Sequence, residues 1–121
     1  MHTLLIIDDD SDYQYLLATL LEFDGYKIVK ATNPLEAIPF IKKEKIDLII
    51  MELKNSYLEG TKFINWLNND LNIEIPVLII TAFQKKEAQE MARKAKLKYI
   101  LHKPSHKNNI INKINKILNI Q

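Results

Sequence analysis

The sequence has no cysteine, only two glycines, and no apolar stretch near the roughly 20 residues that a membrane-spanning helix requires. The absence of cysteine excludes disulfide bonds and thiolate-bound metals. Because Gly25 and Gly60 stand alone, the chain carries neither a dinucleotide-binding fingerprint nor a phosphate-binding P-loop. The amino-terminal residues also lack the pattern of a signal peptide. These absences predict a cytoplasmic protein without a membrane segment.

Charge is unevenly distributed along the 121 residues, although the net charge is only +2. Residues 1–83 have a balance of −6 and residues 84–121 a balance of +8. A basic surface suits an acidic partner or nucleic acid, but no recognised nucleic-acid-binding motif accompanies it. We therefore interpret the basic residues in 85–98 as a solvated helix surface and expect no specific binding to nucleic acid.

Four short apolar runs, each followed by polar residues, form the most informative pattern in the chain. The runs cover residues 4–7, 47–51, 77–80 and 99–102. Their composition, rich in Ile, Leu and Val, predicts strands of a parallel sheet that are buried on both faces between helices. The carboxyl ends of such strands meet at one edge, where open α/β sheets bind ligands. The residues at or after these ends include Asp8, Asp9, Asp10, Glu52, Thr81, Ala82, Lys103 and Pro104.

Helices are predicted between the strands, and a weaker, edge-like strand is predicted at residues 26–31. Ser11 and Asn33 are candidate N-cap residues for the first two helices, and Gly25 is placed to end the first. The helices are predicted near 12–23, 34–44, 61–71, 84–96 and 106–119. Their buried residues are expected to include Leu16, Leu17, Leu20, Leu21, Leu35, Ile38 and Ile41. Five strand–helix units predict one α/β domain, a three-layer sandwich over residues 1–121.

The polar residues at the strand ends suit a phosphoryl group and a divalent cation. Asp8, Asp9 and Glu52 bring three carboxylates to one edge, and oxygen ligands of this kind suit Mg²⁺ or Mn²⁺. Lys103 partly offsets the repulsion among the acids. An ammonium, a metal and the hydroxyl of Thr81 around a carboxylate would neutralise and hydrogen-bond phosphoryl oxygens.

In order and spacing, these residues resemble those of a response-regulator receiver domain of two-component signalling, over essentially the whole chain. The resemblance implies the doubly wound (βα)5, flavodoxin-like fold with strand order 2-1-3-4-5. It implies that Asp8 and Asp9 are the metal-binding acid pair, with Glu52 and the backbone carbonyl of Lys54 as further ligands of weakly bound Mg²⁺. It also implies that Thr81 is the switch hydroxyl, next to Ala82. The lysine that contacts the phosphoryl group corresponds to Lys103, which precedes Pro104 across a bond that is cis in the family.

Three departures from the family pattern lie in and after the third strand. Glu52 stands where the family has its phosphoacceptor aspartate, Asn55-Ser56 replaces Met-Pro, and Glu59 replaces Asp or Asn before a glycine. The extra methylene of Glu52 moves its carboxylate by about 1.3–1.5 Å. Since a shift of about 1 Å can reduce a rate on the order of 100-fold, Glu52 is predicted to be a poor phosphoacceptor.

A fourth departure concerns the aromatic residue of the family's switch pair, which falls at Ile100 in this sequence. Tyr99 is displaced by one residue. A displacement of one residue along a strand sends the side chain to the opposite face of the sheet. We therefore expect Tyr99 not to replace the switch aromatic.

These features predict a pseudo-receiver that is not an enzyme and that signals through protein–protein contacts. Glu52 either fixes the domain in an active-like state or makes its state irrelevant to docking, and the loss of the aromatic at residue 100 favours the second alternative. The resemblance implies a contact surface within residues 84–119. A histidine kinase, an effector, another receiver or a second copy in a homodimer would bind there.

Three alternatives remain open at the level of sequence. One is a receiver that accepts a phosphoryl group normally. Another is a haloacid-dehalogenase-like phosphatase, for which Asp8, Asp10, Thr81 and Lys103 would supply motifs, although a late acid pair is missing. A flavodoxin would need a phosphate loop rich in Ser, Thr or Gly after the first strand, where this chain has aspartates that repel phosphate.

Overall fold

The computed structural model describes residues 1–54, 60–94 and 96–119. Within these ranges, five strands alternate with five α-helices. The strands are β1 (Thr3–Ile7), β2 (Lys27–Ala31), β3 (Leu48–Met51), β4 (Val77–Thr81) and β5 (Tyr99–His102). The helices are α1 (Ser11–Phe23), α2 (Pro34–Lys43), α3 (Gly60–Asn65), α4 (Lys85–Lys94) and α5 (Lys107–Ile117). A π-helical segment, Trp66–Asp70, continues α3.

All strands are parallel, in the order β2-β1-β3-β4-β5 that the resemblance implied. Ile7 pairs with both Ala31 and Met51, so β1, β2 and β3 end at the same level. Thr81 pairs with His102 at the other side of the sheet. This register brings the polar residues that follow the strands to one edge.

The core consists of two apolar layers, one on each face of the sheet. Alternate strand residues divide between the layers, so that Leu5 and Ile7 lie in one and Leu4 and Ile6 in the other. The first layer includes residues of α2 and α3, namely Ala37, Ile41, Phe63 and Ile64. The second includes residues of α1 and α5, namely Leu17, Ala18, Leu21, Ile110 and Ile114. The predicted three-layer sandwich is confirmed.

The predicted end of α1 and the predicted start of α2 are confirmed. Gly25 follows α1 with a φ of +97°, a conformation that glycine adopts without the strain of a Cβ atom. The side chain of Asn33 accepts a hydrogen bond from the N–H of Glu36, and Pro34 is the first residue of α2.

The start of α1 differs from the prediction. The N-cap residue is Asp10, whose Oδ1 accepts a hydrogen bond from the N–H of Tyr13 at 3.1 Å. Ser11 is the first helical residue. Aspartate and serine both cap helices well. Which of Asp10 and Ser11 becomes the N-cap therefore depends on the backbone conformation of the loop after β1.

Two leucines that were predicted to be buried are exposed. Leu16 is 66% exposed on α1, and Leu35 is 54% exposed in the first turn of α2. The apolar stripes of the two helices are therefore narrower than the sequence pattern indicates.

β5 was predicted to be buried on both faces, but all four of its residues are half-buried. The reason is its position, because β5 forms one edge of the sheet and, among the described strands, pairs with β4 alone. β2 forms the other edge, as predicted. Lys27 and Lys30 are exposed on β2.

Candidate functional site

The candidate site is a pocket of about 240 Å³ at the carboxyl edge of the sheet. The loops after β1, β3, β4 and β5 contribute to it. Its lining residues are Asp8, Asp9, Asp10, Glu52, Lys54, Ala82 and Lys103. The structure thus brings together the acids, the lysine and the Thr-Ala segment that the sequence placed at strand ends.

Lys103 lies at the centre of this site, between two buried carboxylates. Its Nζ atom is 2.8 Å from Oδ2 of Asp8 and 3.3 Å from Oε1 of Glu52. Burial favours the neutral amine, but the hydrogen bonds and charges of Asp8 and Glu52 outweigh burial and raise the pKa of Lys103. The ammonium is therefore the stable form beside the two acids.

Asp8 is buried and its two oxygens have different partners. Oδ2 faces Lys103, while Oδ1 accepts a hydrogen bond from the N–H of Asp10 at 2.9 Å. Burial raises the pKa of Asp8, against the opposing effects of Lys103 and the Asp10 N–H. The neighbouring Asp9 is exposed, although it lines the pocket.

The carboxylate of Glu52 is surrounded by hydrogen-bond donors. Oε1 accepts from the N–H of Ala82 at 2.9 Å, and Oε2 accepts from the N–H of Lys54 at 3.2 Å. A hydrogen bond with the Thr81 side chain adds to these contacts. Burial alone would raise the pKa of Glu52, but the Thr81, Ala82 and Lys54 hydrogen bonds and the charge of Lys103 together lower it. Glu52 is thus held as an anion.

Thr81 is the last residue of β4, and its side chain is completely buried. Its Oγ1 accepts a hydrogen bond from the N–H of Phe83 at 3.1 Å, in addition to the hydrogen bond with Glu52. The side chain at the predicted switch position is therefore already directed toward residue 52.

Tyr13 belongs to this site, and the sequence interpretation missed it. The Nζ of Lys103 lies 4.2 Å from the centroid of the Tyr13 ring. Burial, together with the charges of Asp8 and Glu52, raises the pKa of Tyr13 to about 12. The one available signal was the position of Tyr13 in the first turn of a helix that begins directly after the acid run.

Ile100 and Tyr99 lie on opposite faces of the sheet, as the displacement of one residue predicted, and the role of residue 100 as the switch position stays a prediction. Ile100 packs against the apolar layer of α2 and α3, as do Phe83 and Met91. Tyr99 packs against the opposite layer, with α1 and α5. The phenol ring of Tyr99 therefore lies on the wrong face to take the role of residue 100.

The remaining predicted positions lie around this centre. The Lys103–Pro104 peptide bond is cis, as the resemblance implied. Lys54 contributes its N–H to Glu52, and metal binding by its carbonyl stays a prediction. Residues 55–59, which include Asn55, Ser56 and Glu59, lie outside the described residues.

A divalent cation such as Mg²⁺ needs several oxygen ligands that converge on one point. Within residues 1–54, 60–94 and 96–119, no three acidic or histidine side chains are grouped closely enough to hold a metal ion. The oxygens of Asp8 and Glu52 instead face N–H groups and the Lys103 ammonium. This arrangement does not fit a preformed Mg²⁺ site, and Mg²⁺ binding through Asp9 with these acids stays a prediction.

The surface predicted for partners combines charge with few exposed apolar groups. α4 carries Lys85, Lys86, Arg93 and Lys94. In the part of the chain that the structure describes, the large hydrophobic residues with the greatest exposure are Met1, Tyr15, Leu16, Phe23 and Leu35, and three of them lie on α1.

None of the described helices has the length and apolar character needed to cross a membrane.

Comparison with known proteins gives a consistent result. Residues 4–115 match the family model of the response regulator receiver domain. The chain is 29% identical over 103 residues to the polar-differentiation response regulator DivK of Brucella anthropi, with 84% of each chain covered. Its fold matches that of a two-component response regulator from Clostridium difficile with a TM-score of 0.89, 28% identity, and coverage of 98% and 97% of the two chains. It also matches the receiver domain of the Francisella response regulator 1452, with a TM-score of 0.87, 25% identity and 98% of both chains covered. The chain belongs to the family of response regulator receiver domains.

Proposed function

We propose that this receiver domain signals through protein contacts without phosphorylation of residue 52. The observation that carries the proposal is the environment of the Glu52 carboxylate. It accepts a hydrogen bond from the Ala82 N–H, contacts the Lys103 ammonium and is hydrogen-bonded with Thr81. By the resemblance to the family, Thr81 and Lys103 are the groups that contact a phosphoryl group on residue 52. In this chain, the carboxylate of Glu52 already contacts both of these side chains.

The same contacts make Glu52 a poor nucleophile for phosphoryl transfer. A carboxylate oxygen that attacks phosphorus must be positioned in line with the leaving group. Both oxygens of Glu52 are engaged by backbone N–H groups, and Oε1 also contacts Lys103. Its longer side chain further displaces the carboxylate relative to that of an aspartate. Slow or absent phosphorylation follows from both effects.

Of the two alternatives for Glu52, we favour the one in which a partner binds whether or not the domain is in an active-like state. A domain that switches needs a side chain that changes position, and the family uses an aromatic for this purpose. Ile100 holds that position and packs against the core layer of α2 and α3. A fixed active-like domain is the second candidate, supported by the hydrogen bond between Thr81 and Glu52.

The proposed role has consequences for cofactor, partner and location. Receiver domains as a family bind Mg²⁺ at the phosphorylation site, and we propose that this chain binds Mg²⁺ only weakly. The proposed partner is a histidine kinase, an effector, another receiver or a second copy of the chain, bound at residues 84–119. We place the protein in the cytoplasm and propose no catalytic activity. The family assignment favours this interpretation over the phosphatase and flavodoxin alternatives.

Treatment of the full chain with Mg²⁺ and acetyl phosphate tests the proposal. Intact mass and peptide mapping would show whether one phosphoryl group is transferred to residue 52, with release of acetate. We expect no adduct in the unmodified chain and an adduct on residue 52 in the Glu52→Asp variant. Glu52→Gln is the matched control without an acceptor carboxylate. A stoichiometric adduct on Glu52 would overturn the proposal.

A further inference from the structure

Tyr13 reaches the site because α1 begins immediately after the acidic loop. Asp10 caps the helix, and its carboxylate accepts the hydrogen bond from the N–H of Tyr13 itself. This places the ring at the carboxyl edge of the sheet, beside the residue that follows β5. The Nζ atom of Lys103 lies 4.2 Å from the ring centroid. A cation at this distance over an aromatic face is attracted by the negative face of the ring.

Among the residues that the structure describes, three groups contact the Lys103 ammonium. Two are the carboxylates of Asp8 and Glu52, at 2.8 Å and 3.3 Å, and the third is the face of the Tyr13 ring. As a result, only 14% of the Lys103 side chain is exposed. A lysine ammonium on its long, flexible stem otherwise turns readily toward water. The ring is the only apolar group among these three contacts.

The ring also has a second neighbour, an apolar groove of about 180 Å³ between α1 and α5. Leu17, Leu20 and Ile110 line this groove together with Tyr13. The ring thus contacts both the groove and the charged site.

The hydroxyl group of Tyr13 does not account for the position of the ring. Among the described residues, its oxygen is buried without a hydrogen-bond partner. A buried hydroxyl without a partner destabilises the folded state, so the hydroxyl gives no reason for tyrosine at this position. The face of the ring, which phenylalanine would also supply, makes the contact with Lys103.

We propose that Tyr13 is a positioning residue that holds the Lys103 ammonium against Asp8 and Glu52. In relation to the proposed function, on which it rests, this contact maintains the ion pair that keeps Glu52 engaged. Without the ring, Lys103 exchanges between the two carboxylates and water. With the ring, Lys103 stays at the site, and Glu52 remains among its donors.

Nuclear magnetic resonance of the full chain tests the geometry directly. The Lys103 ammonium lies over the ring face. If the contact persists in solution, the methylene protons on the carbon bonded to the ammonium should show ring-current shifts to low frequency in the unmodified protein. Tyr13→Phe should retain these shifts, and Tyr13→Leu should abolish them. Tyr15→Leu, which removes an exposed tyrosine from the same helix, should leave them unchanged. Unshifted Lys103 signals in the unmodified protein would overturn the proposal.

Chemical labelling tests the consequence of the contact. An amine-reactive acetylating reagent, with the label measured on the Lys103 peptide, should modify this residue more slowly than the exposed Lys42. We expect Tyr13→Leu to raise the rate at Lys103 by about 2- to 30-fold, the range that corresponds to a cation–π contact. Tyr13→Phe should leave the rate unchanged. An unchanged rate in Tyr13→Leu, or an equal rise in Tyr13→Phe, would contradict the proposal.

Two additions keep the outcome interpretable. If amide spectra show that Tyr13→Leu does not fold, Tyr13→Met replaces it, because methionine also fills the space without an aromatic face. Glu52→Gln in the same assay separates this proposal from the proposed function. A faster rate in Tyr13→Leu with no change in Glu52→Gln supports the role of the ring and contradicts the Glu52–Lys103 contact. A faster rate in Glu52→Gln with no change in Tyr13→Leu contradicts the role of the ring and leaves the Glu52–Lys103 contact supported.

Discussion

The N–H of Ala82 donates a hydrogen bond of 2.9 Å to Oε1 of Glu52, across the edge formed by β3 and β4. This bond connects two residues that are 30 positions apart in the chain. It holds the Glu52 carboxylate at the carboxyl edge of the parallel sheet, where open α/β sheets bind ligands. Glu52, which we propose stands at the phosphoacceptor position, therefore helps to hold the site together.

Replacement of Lys103 by methionine should strongly destabilise the fold. Asp8 and Glu52 would then remain buried with no counter-charge, which costs roughly 3 kcal/mol or more. Urea denaturation at neutral pH measures the loss. Lys42→Met, which removes an exposed lysine on α2, should change stability little. Addition of Asp8→Asn to Lys103→Met should restore part of the loss, and failure to do so would argue against repulsion as the cause.

Thr81→Val should lower the free energy of unfolding by about 1–3 kcal/mol although it preserves the shape of the side chain. The hydroxyl is buried between the Phe83 N–H and the Glu52 carboxylate, and valine satisfies neither. Thermal and urea denaturation measure this difference. Thr19→Val, at an exposed position on α1, is the control and should have little effect. Equal stability of the two variants would contradict the role assigned to the hydroxyl.

Two leucines on α1 should respond very differently to truncation. Leu21 is completely buried, so Leu21→Ala should lower the free energy of unfolding by about 2–5 kcal/mol. Leu16 is 66% exposed, and Leu16→Ala should change it by no more than about 0.5 kcal/mol. Helix propensity cancels in the comparison because both changes are Leu to Ala. A large loss in Leu16→Ala would indicate that this side chain is covered in solution.

Glu36 should contribute to stability in a pH-dependent manner. Hydrogen bonds from the backbone N–H and the hydroxyl of Thr32 lower the pKa of Glu36 from its usual 4.5. Its contribution is present above pH 4.5 and is lost as the pH falls through the lower pKa of the folded state. The difference in melting temperature between the unmodified chain and Glu36→Gln should therefore shrink in acid.

Glu22→Gln, which changes an exposed glutamate on α1, provides the control for this measurement. Its difference from the unmodified chain should be smaller at neutral pH. A difference for Glu36→Gln that grows in acid would contradict a lowered pKa of Glu36 in the folded state.

The strand positions and the polar residues that line the pocket followed from the sequence, because both depend on local patterns. Short apolar runs located the central strands, and the polar residues after them located the edge. Strand order followed only from the resemblance to the family. Asn33 and Gly25 marked helix ends through their own conformational preferences, which act within a few residues.

The features that the sequence did not predict depend on neighbours distant in the chain. Leu16 fits the apolar spacing of α1, but the residues of this helix that enter the core layer are Leu17, Ala18 and Leu21. β5 has the composition of a buried strand, and it is half-buried because it forms an edge of the sheet, with β4 as its neighbour. Tyr13 resembles an ordinary aromatic in an amphipathic helix, and its contact with Lys103 spans 90 residues. Periodicity in a single segment carries no information about such contacts.

The open edge at β2 has a consequence for the behaviour of the protein at high concentration. An exposed edge strand invites the backbone of another molecule to extend the sheet, which leads to aggregation. Lys27 and Lys30 place positive charge along this strand, and Lys27 is fixed by Glu44 at 2.7 Å. A second copy that approached in register would bring like charges together and would have to displace this ion pair. The lysines therefore protect the edge against intermolecular sheet formation.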